Sequence, residues 1–173
     1  MNERERIDGA VEGWARVAPD LDVVTMRTAL LFARVTALGS RHIEAAFAAV
    51  GLSSGEFDVL ASLMHLPDHT STPSVLARHG MLSPAGMTHR LDQLERSGLV
   101  ERRPDPDDRR STLVVLTDAG RAKALEAAHA HVAAEAELFE GVSKADRADL
   151  CRLLDALLDA YVAATEASLG SPT

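Results

Sequence analysis

The chain has 173 residues, enough for one domain or one subunit of a larger symmetric core, and 46% are hydrophobic, so a substantial core can form. Aromatic residues make up only 3%, which with abundant alanine and leucine favours helices over sheet, and the single cysteine, Cys151, excludes an intrachain disulfide framework and fits a reducing cytoplasm. The formal net charge of −8 is the wrong sign for a protein that coats polyanions without selection; no apolar run reads as long enough to span a bilayer, and the start MNERERIDGA lacks a signal-peptide core.

The first predicted helix runs from Glu3 to Ala18. Ile7, Ala10, Val11, Trp14 and Ala18 form its apolar stripe, and Pro19-Asp20 ends it. A long helix follows from about Asp22 to Val50, with a bend expected near Gly39-Ser40 and a stop at Gly51. Its apolar residues are too many for one narrow face, so it should pack on two sides. Ser53 or Ser54 then caps a helix from Gly55 to Leu66, with Phe57, Leu60, Ala61 and Met64 inward and Pro67-Asp68 breaking the chain.

Thr72-Pro73 is an N-cap followed by an N1 proline, so a short helix is expected from Ser74 to His79, closed by Gly80. Ser83-Pro84 repeats the signal, and Ser97-Gly98 closes the second helix. Met87, Leu91 and Leu94 mark its buried face. Ala85, Thr88, His89, Asp92 and Arg96 point the other way. Small and polar side chains there suit close approach to base edges and phosphates. Leu99-Val100 begins one strand and Thr112 to Leu116 forms another. The charged tip between them cannot be core. Arg102, Arg103, Arg109 and Arg110 flank it and can reach a polyanion, with Arg110 expected to be held by Asp108 while its guanidinium enters a minor groove. Helix, glycine-containing turn, helix and hairpin are the order of a winged helix-turn-helix. Between Thr72 and Leu116, seven arginines face six carboxylates, a balance of +1, which leaves −9 for the rest of the chain. A focused patch with repulsion elsewhere suits binding at selected DNA sites.

Thr117 should cap a helix from Asp118 to about Glu140, ended by Gly141, and Ser143 the last helix. There Leu150, Leu153, Leu154, Leu157, Leu158 and Tyr161 form one helical seam. Terminal helices on both sides of a reading head have little to pack on within one subunit, so the seam is read as a homodimer interface, with intrachain core as the alternative. The chain thus reads as a single mostly α subunit over 1–173 with a small β-hairpin wing. Helices over 1–50 and 118–169 dimerise, a winged helix-turn-helix lobe over 54–116 binds DNA, and 170–173 form a loose tail.

The run GMTHRLDQLERSGLVERRPDPDDRRSTLVVLTDAGRA resembles the signature of MarR-type transcription regulators, above all in DPDDRR followed by a strand and LTDAG. The resemblance extends from Asp22 to about Leu158. It implies a cytoplasmic homodimer that binds a double-stranded operator, by family default as a repressor released by a small ligand. With the recognition-helix outer face and the wing, the implied DNA-binding positions are Thr72, Ser74, Ser83, Ala85, Thr88, His89, Arg96, Arg103, Asp108, Arg109 and Arg110.

A narrower resemblance joins the extra N-terminal helix with its tryptophan, the segment GEFDVLASL and the helix GMTHRLDQLE. These are similar to the urate-responsive branch of MarR proteins, in which a Trp, an Asp and an Arg contact a purine-type ligand. Carried over, they are Trp14, Asp58 and Arg90. His89 departs from the branch, which usually has an asparagine there. Read without the resemblance, Trp14 is an aromatic anchor and Asp58 a solvated charge. Arg90 is then a cation bordering the buried face that needs an acceptor, with Asp58 itself a candidate.

His65 and His69 have a metal-like spacing, but Pro67 between them breaks it, and no metal or cofactor is expected. Cys151 reads as a packing residue between Leu150 and Leu153. No phosphate loop, nucleophile elbow or paired-carboxylate site is present, so no enzyme is expected. The alternatives are a MarR regulator answering phenolic or other aromatic ligands, and an architectural DNA binder that ignores ligands.

Overall fold

The computed structural model describes residues 1–79, 84–106, 108 and 110–169, except the side chains of 79, 84 and 166–169. The expected stop at Gly80, the N-cap and DNA contact at Ser83, the contact at Arg109 and the loose tail at 170–173 fall outside the described residues. The chain forms two compact units, Met1–Ala134 and Glu135–Thr173.

In the first unit, α1 (Glu3–Val17) begins with a capping box. Glu5 donates its N–H to Asn2 Oδ1 at 2.9 Å, and Asn2 returns its own N–H to Glu5 Oε2 at 2.8 Å. α2 (Val23–Ala49) is capped by Asp22, which accepts from the N–H groups of Val24 and Thr25 at 3.1 and 3.0 Å. It runs uninterrupted through Gly39-Ser40. α1 lies along α2 in antiparallel sense, because Asp8 pairs with Arg27 at 2.9 Å and Glu3 with Arg34 at 2.7 Å. These half-exposed pairs fix register more than they add stability. Contrary to the expectation from sequence, α2 is long and apolar enough by composition to cross a membrane. Two of its arginines, Arg27 and Arg34, pair with α1, and Phe47 near its end is buried in the core of the lobe.

The lobe comprises α3 (Ser54–Met64), β1 (Thr70–Ser71), α4 (Pro73–His79), α5 (Pro84–Arg96), β2 (Val100–Pro104), β3 (Thr112–Leu116) and the first turns of α6 (Asp118–Leu138). Its core is continuous, with Leu60 and Leu63 of α3, Leu76 of α4, Met87, Leu91 and Leu94 of α5, Val100 and Val114 of the sheet, and Ala127 of α6 all nearly or fully inaccessible. Burying each leucine contributes about 1.5–3 kcal/mol. Tight turns keep the pieces in place. Gly51 and Gly98 sit at φ +75° and +71°, where glycine has no steric cost, and each closes a helix. At the second, Gly98 donates to the Glu95 carbonyl and Leu99 to the Leu94 carbonyl, both at 2.9 Å. The chain therefore leaves α5 directly into the wing.

The sheet is antiparallel with strand order β1-β3-β2, and β2 pairs with β3 from Val100↔Leu116 to Pro104↔Thr112. The hairpin expected from sequence is thus joined by a third strand, two residues long, with Thr70↔Val115 and Ser71↔Val114. Gly120 explains the glycine of the LTDAG segment. A Cβ there would strike the Leu99 carbonyl oxygen, and Thr117 Oγ1 donates to the Gly98 carbonyl at 2.8 Å while capping the Gly120 N–H at 2.9 Å. α6 therefore starts pressed against the root of the wing.

The second unit contains α7 (Lys144–Leu169), capped by Ser143 through the N–H of Asp146 at 3.1 Å. Leu150, Leu153, Leu154, Leu157, Leu158 and Tyr161 are exposed, from 39% to 66%. Cys151, between Leu150 and Leu153, is exposed in the protomer as they are.

Candidate nucleic-acid interface and ligand site

The buried face of α5 decides which residues it presents. With Met87, Leu91 and Leu94 held at 2% exposure or less, Ala85, Thr88, His89 and Arg96 are exposed on the outside. Arg96 is laid along the helix by a 3.0 Å bond from Nε to the Asp92 carbonyl. On α4, Ser74 is exposed, while Thr72 is half-buried and occupied locally. Its Oγ1 lies 3.0 Å from the Ser74 hydroxyl and 3.4 Å from the Val75 N–H.

The wing differs from the sequence expectation in two ways. Asp108 does hold Arg110, but through the backbone: the Arg110 N–H donates to Asp108 Oδ1 at 2.9 Å, and Ser111 donates to the Asp108 carbonyl at 2.8 Å. The carboxylate shapes the turn, and the Arg110 side chain is exposed with no ion pair among the described residues. Arg102 and Arg103, read as cations open to a polyanion, are both paired. Arg103 meets Glu101 on its own strand, and Arg102 Nη1 lies 2.7 Å from Asp92 and 2.8 Å from Glu95 of α5. Arg103 is still exposed and could exchange Glu101 for a phosphate; Arg102 is largely covered.

The three proposed ligand residues all lie in the first unit. Trp14 is 53% exposed in a shallow groove lined by α1 alone (Gly9, Ala10, Gly13, Trp14 and Val17), so within the described structure it does not bury as an anchor. Asp58 is exposed on α3. Arg90 is half-buried, as its place beside the α5 core face requires, but the expected Asp58–Arg90 pair is not formed. Its guanidinium instead lies over Gly55, so close that a Cβ there would overlap it, and it has no hydrogen-bond or ion-pair partner among the described residues. The neighbouring start of α3 is already capped, with Glu56 closing a box on Ser53 and Glu44 accepting from the Ser54 N–H at 3.3 Å. Of the three, only Arg90 therefore sits in a defined niche.

A second feature escaped the sequence reading. An apolar notch of about 200 Å³ is lined by Phe57, Ala61 and Met64 of α3, by His65 that caps its end, and by Ala124, Leu125 and Ala128 of α6. Behind it Phe47 and Phe57 stack with centroids 4.7 Å apart, and His131 packs against both. The sequence marks Phe57, Ala61 and Met64 as inward, but their meeting with α6 depends on how that helix crosses α3. The His65–His69 spacing is broken, because α3 ends at Met64 and a 3-10 turn over Pro67–His69 carries Asp68 and His69 at φ 52°.

Two successive helices, α4 and α5, and a β wing around one core, with polar residues turned out from the second helix, define a winged helix-turn-helix DNA-binding protein. The MarR family pattern matches residues 52–112. Over 149 residues the chain is 33% identical to the HTH-type transcriptional regulator PecS of Dickeya dadantii (strain 3937), covering 86% of this chain and 90% of that one. It is 31% identical over 113 residues to the HTH-type transcriptional repressor YetL of Bacillus subtilis (strain 168), covering 65% and 68%. The fold is similar to that of a MarR mutant from E. coli complexed with operator DNA, with a TM-score of 0.64, 25% identity, and 84% and 97% of the two chains covered. The chain belongs to the MarR family: it is a DNA-binding transcription regulator, not an enzyme.

Proposed function

We propose that this protein is a cytoplasmic homodimeric repressor that holds a pseudo-palindromic operator and releases it when a small planar anion, urate or a related purine, engages Trp14, Asp58 and Arg90. The observation that carries the ligand reading is the Arg90 guanidinium over Gly55, which has no hydrogen-bond or ion-pair partner among the described residues. A half-buried guanidinium needs an acceptor, and an anion would supply one. Arg90 is on the recognition helix, so a ligand that moves it moves the reading head. The ligand must bind the DNA-incompetent state better, and each tenfold loss of operator affinity needs about 1.4 kcal/mol of such preference. The exposed seam of α7 supports the dimer, because six large apolar side chains on one helix face call for cover.

The test uses Trp14, the only tryptophan. Titration with urate should change its fluorescence and release labelled operator over the same concentration range. Trp14→Phe should weaken ligand binding and spare DNA, whereas Arg90→Ala should abolish the response. If urate, xanthine and hypoxanthine all leave fluorescence and operator complex unchanged at millimolar concentration, the purine reading fails. A second reading is favoured by the α3–α6 notch, whose volume suits one aromatic ring with His65 as its polar contact. In that case phenolic carboxylates release the operator, and Ala61→Leu, which fills the notch, blocks them.

A further inference from the structure

We propose that Arg102 is a positioning residue for DNA recognition: with Asp92 and Glu95 it forms a brace that fixes the angle between the recognition helix and the wing. Three contacts converge on it. Its Nη1 donates to Asp92 Oδ1 at 2.7 Å and to Glu95 Oε2 at 2.8 Å, and its backbone N–H donates to Glu95 Oε1 at 3.1 Å. Asp92 and Glu95 are three apart on α5, so one guanidinium spans both. Glu95 uses both oxygens on one residue, so it controls the backbone of β2 as well as the side chain.

The place of the brace in the sheet gives it leverage. β2 is an edge strand, so the Arg102 N–H, which donates to Glu95, is not used in the strand ladder. Arg102 is opposite Val114, and Val114 also pairs with Ser71 of β1. This is the last register at which the sheet has three strands. Beyond it, from Arg103↔Leu113 outward, the wing is a two-stranded ribbon, which is marginal on its own. The brace therefore ties the hinge of the wing to the helix that enters the major groove. A helix and a ribbon that read adjacent grooves must keep a fixed offset, and misplacement of either loses its contacts.

This inference rests on the wing contact with DNA, so the experiment separates the two. Operator binding is measured against salt for Arg110→Ala, Arg102→Ala, Glu95→Gln and the doubles with Arg110→Ala, with thermal unfolding followed in parallel. Arg110→Ala alone tests the wing and should lower the salt slope by about one unit. If it leaves affinity and slope unchanged, the wing is not a contact and both readings fall. Glu95→Gln is the sharper probe of the brace. Removal of a carboxylate from a DNA-facing surface should by charge alone tighten binding. The brace requires the opposite: weaker binding, a slope lowered as in Arg110→Ala, and no further loss in the double variant, because a displaced wing has no Arg110 contact left to lose. Arg102→Ala should behave the same way, with Arg102→Lys restoring part of the affinity. Tighter or unchanged binding by Glu95→Gln, or losses additive with Arg110→Ala, would overturn the brace. If Arg102→Ala unfolds the lobe, Glu95→Gln and its double decide the matter alone.

Discussion

Gly120 shows how one atom governs a junction. A Cβ there meets backbone, the Leu99 carbonyl oxygen, and also the Leu116 side chain. The neighbour cannot swing aside, so Gly120→Ala should destabilise the protein by about 1–3 kcal/mol, as overpacking does. Urea unfolding measures this, and an unchanged midpoint would show that α6 slides freely. Gly55 is the contrasting case. Its neighbour is the end of a flexible side chain, so Gly55→Ala should leave the fold intact and move the Arg90 guanidinium off its seat. Loss of ligand response with DNA binding retained is the expected result, and a normal response would remove Arg90 from the site. Asp22 offers a pH test. Its pKa is held below the usual 3.8 by the Thr25 hydroxyl and then by backbone N–H groups of Thr25 and Val24. A depressed carboxylate pKa adds stability above its unfolded value, which is lost as pH falls through the folded value. Acidification below the ordinary aspartate range should fray the start of α2, an effect absent in Asp22→Asn when followed by amide exchange at Val24 and Thr25.

At the scale of elements, local signals were legible and long-range pairings were not. Thr112–Leu116 is rich in β-branched residues and forms the strand the sequence indicates, and the expected first-turn proline Pro84 and the Ser97-Gly98 stop bound the helix that forms. β1 left no signal, because two residues after a left-handed turn carry no periodicity and their strand exists only through β3. The Arg102 brace and the α3–α6 notch were hidden for the same reason: both join residues from different elements. The candidate site was half legible. Periodicity placed Arg90 beside the core face, but could not tell that its guanidinium would lie on Gly55 rather than meet Asp58. The seam of α7 was legible as a pattern. Leu154 and Leu157 are 40% and 39% exposed in the protomer, so Leu154→Asp or Leu157→Asp should spare the helix and abolish the dimer. Light scattering should report a monomer with normal helical circular dichroism. A dimer of wild-type stability would place the interface elsewhere.

At the scale of the molecule, charge and symmetry work together. The reading head carries a slight positive balance on a chain of net −8, so loose association with DNA is discouraged and binding depends on fitting a site. Two such heads in a dimer should fit half-sites about one DNA turn apart, roughly 34–36 Å or 10–10.5 base pairs between centres. An architectural protein would have no such requirement. The most direct test is therefore selection of bound duplexes from a random-sequence pool at physiological salt, followed by footprinting of the enriched sequence. An inverted repeat with half-site centres about one turn apart, protected on one face by a dimer, is the expected result. Enrichment of no motif, with uniform binding across the pool, would contradict it.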